Sequence, residues 1–520
     1  MSARALMVLG TASHVGKSLI VAGLGRILAD EGVRVAPFKA QNMSLNSAAT
    51  PDGREIGRAQ ALQAEACRVA PSVEMNPILI KPGSDMTSQV VLLGKVWGQV
   101  SAIDNHAGRA EQLFPVVLES YRQLASQYDV VLLEGAGSTA EINLRDHDIV
   151  NVRMAQAANA NCLLVGDIDR GGVFASLFGT LALLEPDERK LFKGFVINKL
   201  RGYPELLKPG VEMMEQRLGI PCAGVVPHLP NLGLEDEDGV AIEDRPAAGR
   251  IWREMSRDIS PLRRLRVGVI TLPHISNFTD FDALAAEPSV ALAFVERPGD
   301  LDRADVLILP GTKQTVDDLD WLIQHGFVEA IRKHHAANKL ALGLCGGLQM
   351  LGLELSDPAG VENRGVPREC EGLGLLAVRT VLGREKITRQ VTGELSAEAG
   401  LWEGPGFSGY EIHMGETERS GAAQPFARLR TCDGVEWLDG AVSTSGQVFG
   451  TYVHGIFDHD AFRHSFLDWA RARFNLAPAE PKVFSAAERD ARLNRWADHL
   501  RSSLRLDLIR DLISNARLRC

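Results

Sequence analysis

Short apolar runs alternate with helix-period stretches along this chain, and the alternation sets its architecture. Ala5-Leu-Met-Val-Leu9 is uninterrupted and too short for a helix, so it predicts a buried strand. Leu19 to Leu28 carries apolar residues at helical spacing, and the pattern ends at Gly32. Val33 to Lys39, Asp129 to Leu133, Cys162 to Gly166, Gly194 to Ile197 and Cys222 to Val226 predict further strands. Strands alternating with helices build a mostly parallel sheet with right-handed crossovers. From Pro230 to about Leu262 the pattern breaks. Glu235-Asp-Glu-Asp238 and Asp258-Ile-Ser-Pro261 read as an acidic, solvated linker with room for one short helix. Arg266 to Leu272 opens a second α/β pattern, continued by Val306 to Leu309, Leu340 to Leu344 and Val448 to His454. Ala486 to Leu512 is helical and rich in Arg, Asp and Leu, a tail expected to pack on the body or a partner. The fold class is therefore α/β, with two α/β domains at 1–230 and 263–475. A linker at 231–262 joins them, and a helical tail follows at 476–520.

Composition narrows the setting. The 520 residues suffice for full cores in both domains, and 50 glycines suit many tight strand–helix turns. No uninterrupted apolar run approaches the roughly 18 residues of a transmembrane helix. The first strand begins almost at once, without the charge pattern or cleavage site of a signal peptide. Seven scattered cysteines with no CxxC pair suggest neither a disulfide framework nor a metal site, and a reducing cytoplasm is expected. A net charge of -10 argues against nucleic acid as the main partner. It leaves room for an acidic substrate on a local basic patch.

Two stretches carry candidate chemistry. In Leu340-Ala-Leu-Gly-Leu-Cys345-Gly-Gly, a strand runs into Gly-x-Cys-x-Gly and then a helical pattern from Leu348. This is the form of a nucleophile elbow, whose turn is so tight that its neighbours must lack side chains. A helix N-terminus behind the thiol would favour the thiolate. The alternative is a structural thiol in a Gly-rich turn. The candidate base is His454, at the tip of the strand Val448-Phe-Gly-Thr-Tyr-Val-His454. Near the N-terminus, Gly10-Thr11-Ala-Ser-His-Val-Gly16-Lys17-Ser18 joins a strand to a helix, the context of a phosphate loop. Lys17 would reach the outer phosphates of ATP, and the Ser18 hydroxyl would bind Mg²⁺. Glu134, at the tip of the strand from Asp129, is the candidate second anchor for Mg²⁺. Asn198, ending another strand, is where such enzymes read the adenine base. Asp167-Ile-Asp169-Arg170 is a strand tip that could face nucleotide phosphates or substrate carboxylates.

These residues resemble known families. The Cys345 elbow with the later His454 is similar to the class I glutamine amidotransferases. There the loop corresponding to Leu309-Pro-Gly311-Thr supplies an oxyanion-hole amide, so the resemblance implies Gly311 and Gly346 for that role. Many members carry His-x-Glu; His454-Gly-Ile-Phe-Asp458 does not, as in the corrinoid-amidating branch, and this leaves Asp458 as a weak third member of the triad. The phosphate loop, with Thr11 where the first Gly belongs, resembles the dethiobiotin-synthetase-like branch. Gln41-Asn-Met-Ser-Leu-Asn-Ser47, Glu55-Ile-Gly-Arg-Ala-Gln60 and Met75-Asn-Pro-Ile-Leu-Ile-Lys-Pro82 resemble the cobyric acid synthase family over essentially the whole chain. That resemblance implies a synthetase domain and a glutaminase domain. ATP, glutamine and a corrinoid would be its small-molecule substrates, and Mg²⁺ its metal ion. Lys39, Gln41, Asn42 and Asp169 are candidate substrate contacts. Gly409 to Gly415 matches too and could line a channel or the glutamine site. The sister a,c-diamide synthases, other ATP-dependent amidotransferases and a non-catalytic binding module are the competing readings. A degenerate module would be expected to lose Cys345, His454 or Lys17. The resemblance leaves open whether the chain forms a homo-oligomer.

Overall fold

The computed structural model describes residues 3–83, 87–101, 106–230, 232–234, 248, 251–252, 263–363, 365–480, 482 and 486–515. The acidic linker segments Glu235–Asp238 and Asp258–Pro261 lie outside them.

Arg4–Gly10 sits near the middle of a six-stranded parallel sheet. The order across it is Cys222–Pro227, Phe192–Leu200, Asn161–Asp167, Arg4–Gly10, Val130–Glu134, Val35–Phe38. The central strand is apolar without a break because both its faces are covered. Leu6 and Val8 enter one core, and Ala5, Met7 and Leu9 enter the other. The first of these cores is closed by the far end of the chain. Helix Ala486–Ser503 returns from the second domain and packs on Lys17–Asp30, and Leu506–Asn515 packs on the strands Arg4–Gly10 and Cys222–Pro227. Trp496, Leu500 and Leu504 are buried there, Trp496 Nε1 donates to the Leu19 carbonyl at 2.6 Å, and buried Arg26 pairs with Asp490 at 2.5 Å. The tail thus belongs to the core of the phosphate-loop sheet, which is built from both ends of the sequence.

The second sheet has the order Val290–Val295, Leu265–Ile270, Val306–Leu309, Leu340–Leu344, Val448–Thr451, Ala441–Val442, parallel except for its last pair. Trp252, inside the expected linker, is buried in its core. A third, largely antiparallel sheet is built on Val378–Leu395 and Phe407–Arg419. Charged residues interrupt both strands, and no apolar run announces them. Tyr410 of this sheet pairs with His454.

The domains meet through buried polar contacts. Glu55 lies between Lys81 and Lys386, 2.5 Å from each. Burial works against its charge, yet the two ammonium groups hold the carboxyl well below the usual range.

Candidate active sites

The strand Leu340–Leu344 aims the chain at Cys345, whose backbone has φ 49° and ψ -110°. A β-strand cannot pass directly into the helix Gly346–Leu351 without such a turn, and strain of this kind persists only where surroundings impose it. Close packing fixes it: a Cβ on Gly347 would stand 2.0 Å from the Leu309 carbonyl oxygen. Gln349 braces the turn from below, donating to the Met414 carbonyl and to Tyr452 Oη, each at 3.0 Å. The thiol of Cys345 points toward the Ile412 carbonyl at 3.6 Å, so the segment Gly409 to Gly415 does border this site.

His454 meets the Cys345 thiol, and its Nδ1 lies 2.7 Å from Asp280 Oδ2. The Gly455 amide donates to the other oxygen of Asp280 at 2.9 Å. Burial alone would depress the imidazole. The Asp280 carboxylate, with the Cys345 thiol, reverses that and pushes it up to about 10. Nearby His413 is pushed down to about 3 by burial and stays neutral. The third position is therefore held by Asp280 and not by Asp458, which is half-exposed and faces Arg58 at 3.8 Å. Asp280 lies on the turn Phe278–Phe281, far upstream of His454, and no local spacing marks it. Gly311 and Gly346 flank the nucleophile. A Cβ on Gly311 would stand 3.0 Å from His454 Cε1, and one on Gly346 would stand 2.6 Å from Thr312 Cγ2.

In the other domain, Gly16 has φ 98°, a conformation glycine adopts freely, and it leads into the helix Lys17–Asp30. Gly10 and Thr11 close the strand, with the Thr11 amide donating to the Val165 carbonyl. Lys17 Nζ donates to the carbonyls of Ala12 and Gly137 at 3.0 Å. Ser18 Oγ donates to Glu134 Oε1 at 2.8 Å. Lys39 Nζ lies 2.8 Å from the same oxygen, and Gln63 donates to Oε2 at 2.6 Å. Burial opposes the charge of Glu134, but Lys39 first, then Gln63 and Ser18, hold its carboxyl below the ordinary range. Ser18 and Glu134 offer the hard oxygen ligands that suit Mg²⁺ beside phosphate.

These groups open onto a cavity of about 1560 Å³. Gln41 and Asn42 lie in its wall with Arg109, Arg145, Arg153 and Arg170, and Ile275 and Phe278 of the second domain close one side. The remaining expected residues are placed as follows. Asn198 donates its amide to the Val15 carbonyl at 2.8 Å and so braces the phosphate loop. Asp169 is outside the cavity wall and paired with Arg201 at 2.7 Å, while its neighbour Arg170 faces in. Lys39 belongs to the Glu134 cluster at the phosphate end and also lines the cavity.

Residues 6–242 match the family model described as CobQ/CobB/MinD/ParA nucleotide binding domain. Residues 266–462 match the CobB/CobQ-like glutamine amidotransferase domain. The chain is similar to a cobyric acid synthase of Syntrophobacter fumaroxidans, with 46% identity over 98% of this chain and 99% of that one. It is similar to the enzyme of the same name from Sorangium cellulosum, with 49% identity over 95% of this chain and 96% of that one. The corresponding figures for Klebsiella pneumoniae (strain 342) are 47%, 97% and 97%. Among the described residues no helix is long and apolar enough to cross a membrane.

Proposed function

The chain belongs to the cobyric acid synthase family of glutamine-dependent amidating ligases, and on that premise we propose how its residues divide the work. The Cys345 thiolate attacks the side-chain amide carbon of glutamine. The oxyanion rests against the N–H groups of Gly311 and Gly346, and His454, held by Asp280, gives its proton to the departing ammonia. Water deprotonated by His454 then releases glutamate from the thioester.

A carboxylate at neutral pH resists amidation, so the first domain must activate it. Gly16, Lys17 and the loop amides hold the phosphates of ATP, with Gly10 and Thr11 shaping the entry. A substrate carboxylate oxygen attacks the γ-phosphorus, giving ADP and an acyl phosphate. Ammonia adds through its lone pair to the acyl carbon, loses a proton and expels inorganic phosphate. Ser18 and Glu134 would hold Mg²⁺, whose charge would offset that of the transferred phosphoryl group.

The substrate we infer is adenosylcobyrinic acid a,c-diamide, amidated on its b, d, e and g carboxylates, in the cytoplasm. The observation that carries this reading is the cavity. At about 1560 Å³ it exceeds what one small ligand fills, its wall carries Arg109 and Arg170 for a polycarboxylate beside Arg145 and Arg153, which Glu188 and Glu111 hold, and the Ser18–Glu134 cluster stands at one end. Gln41 and Asn42 are the side chains we assign to the corrinoid. The test is mass spectrometry of the corrinoid after incubation with ATP, Mg²⁺ and glutamine, since every carboxylate converted to an amide is a countable mass step. Four steps on the a,c-diamide support the reading. Two steps on cobyrinic acid and none on the diamide would instead identify an a,c-diamide synthase.

A further inference from the structure

The Asn46–Ser47 segment is held by Asn277 and Tyr410, the first bonded to the residue that fixes His454 and the second stacked on its ring. The Ser47 amide donates to Asn277 Oδ1 at 3.1 Å, and Asn46 Oδ1 accepts from the Phe278 amide at 3.2 Å. Asn277 holds a left-handed conformation, φ 51°, and caps the turn Phe278–Phe281; the Asp280 amide donates to its carbonyl at 2.9 Å. Asp280 in turn fixes His454 Nδ1. The second arm runs from the Ser47 carbonyl, which accepts from Tyr410 Oη at 3.1 Å. The Tyr410 ring stacks on the His454 imidazole, with centroids 5.6 Å apart and planes 25° from parallel. Asn46, Ser47 and Asn277 are all buried, so water does not compete for these bonds. Ser44, Asn46 and Phe278 meanwhile form part of the wall of the synthetase cavity.

We propose that the Asn46–Ser47 segment is a coupling element: occupancy of the synthetase cavity sets the glutaminase imidazole through two arms, Asn277–Asp280 and Tyr410. Asn277 and Ser47 are positioning residues here, acting on glutamine hydrolysis through others. The inference rests on the reaction assigned above. Coupling of this kind is a free energy shared by both sites, so loosening either arm reduces it.

The test compares glutamine hydrolysis with and without ATP and the corrinoid a,c-diamide, in wild type, Asn277→Gly and Tyr410→Phe. Glycine tolerates the backbone of position 277 and removes only the side-chain acceptor. We expect wild-type kcat/KM for glutamine to rise at least about tenfold when the cavity is filled. In each variant that ratio should fall about five- to tenfold, the effect of one buried hydrogen bond. Amidation from ammonium should be unchanged in Asn277→Gly, which also verifies its folding. Full stimulation retained in both variants, or no stimulation in wild type, overturns the proposal. Failure of the reaction assignment itself shows separately, as no amide from ammonium in wild type.

Discussion

Cys345, His454 and Asp280 are 6%, 1% and 2% exposed, whereas Lys17 and Ser18 open onto a cavity of about 1560 Å³. The first site is preset. Each of its side chains is locked by a neighbour: the thiol by the elbow, the imidazole by a carboxylate, the carboxylate by the Gly455 amide. The second site gathers Lys17, Ser18, Lys39 and Glu134 at one end and also carries Arg109, Arg145, Arg153 and Arg170 in its wall. Glutamine is small and always the same, so a closed socket suits it. A large polycarboxylate presented in several orientations needs room, and precision is required only where the phosphate is transferred. On the proposed function, the difference separates a demanding cleavage from a permissive recognition step.

Breaking the phosphate end should have the largest effect on amidation from both nitrogen sources together. Lys17→Ala is expected to lower amidation about 10³-fold with either glutamine or ammonium, measured as corrinoid amide formed per enzyme, because a transferred phosphoryl group depends on its cation. Next comes the clamp from the tail. Trp496→Ala removes a buried ring from the core beneath the phosphate-loop helix and should destabilise the protein by about 3–5 kcal/mol. Urea unfolding followed by tryptophan-independent far-UV dichroism would measure it. Asp280→Asn tests how preset the glutaminase is. It should lower glutamine hydrolysis about 10²-fold and leave ammonium-dependent amidation intact, since the imidazole loses its orienting charge.

The smallest effect is on pH dependence, and its sign differs between the sites. His454 is raised from 6.5 to about 10, so the Asp280–His454 pair stabilises fully below 6.5 and loses that contribution as pH climbs toward 10. Glu134 is lowered from 4.5, so its pair with Lys39 stabilises above 4.5 and is lost on acidification. Urea midpoints across the pH range should therefore flatten on the alkaline side in Asp280→Asn and on the acid side in Glu134→Gln.

The features legible in sequence were those fixed by short-range geometry. A glycine-flanked cysteine after an apolar strand, and Gly-Lys-Ser after another, are dictated within one turn of chain, and both stand where the spacing predicts. His454 was legible through the resemblance of its flanking residues, since a lone histidine at a strand tip is more often structural. Asp280 was not, because its partner is remote in sequence and only tertiary packing joins them. Asn198 stands at a strand end as expected, and its bond to the Val15 carbonyl was not legible, since a base contact and a brace for Val15 look identical in sequence. The tail read as helical, yet its docking on Lys17–Asp30 depends on a shape match between Gly23 and the Trp496 and Leu500 side chains that no periodicity encodes.

The central claim is that two separate sites in one chain perform one amidation, the closed one making ammonia and the open one consuming it. The direct measurement is amide formation on the corrinoid a,c-diamide by Cys345→Ala, with ATP and Mg²⁺, using glutamine in one arm and ammonium in the other. The account requires amide from ammonium at the wild-type rate and at least about a 10⁴-fold loss with glutamine. Amide formed from glutamine at an undiminished rate, or none from ammonium, would contradict it.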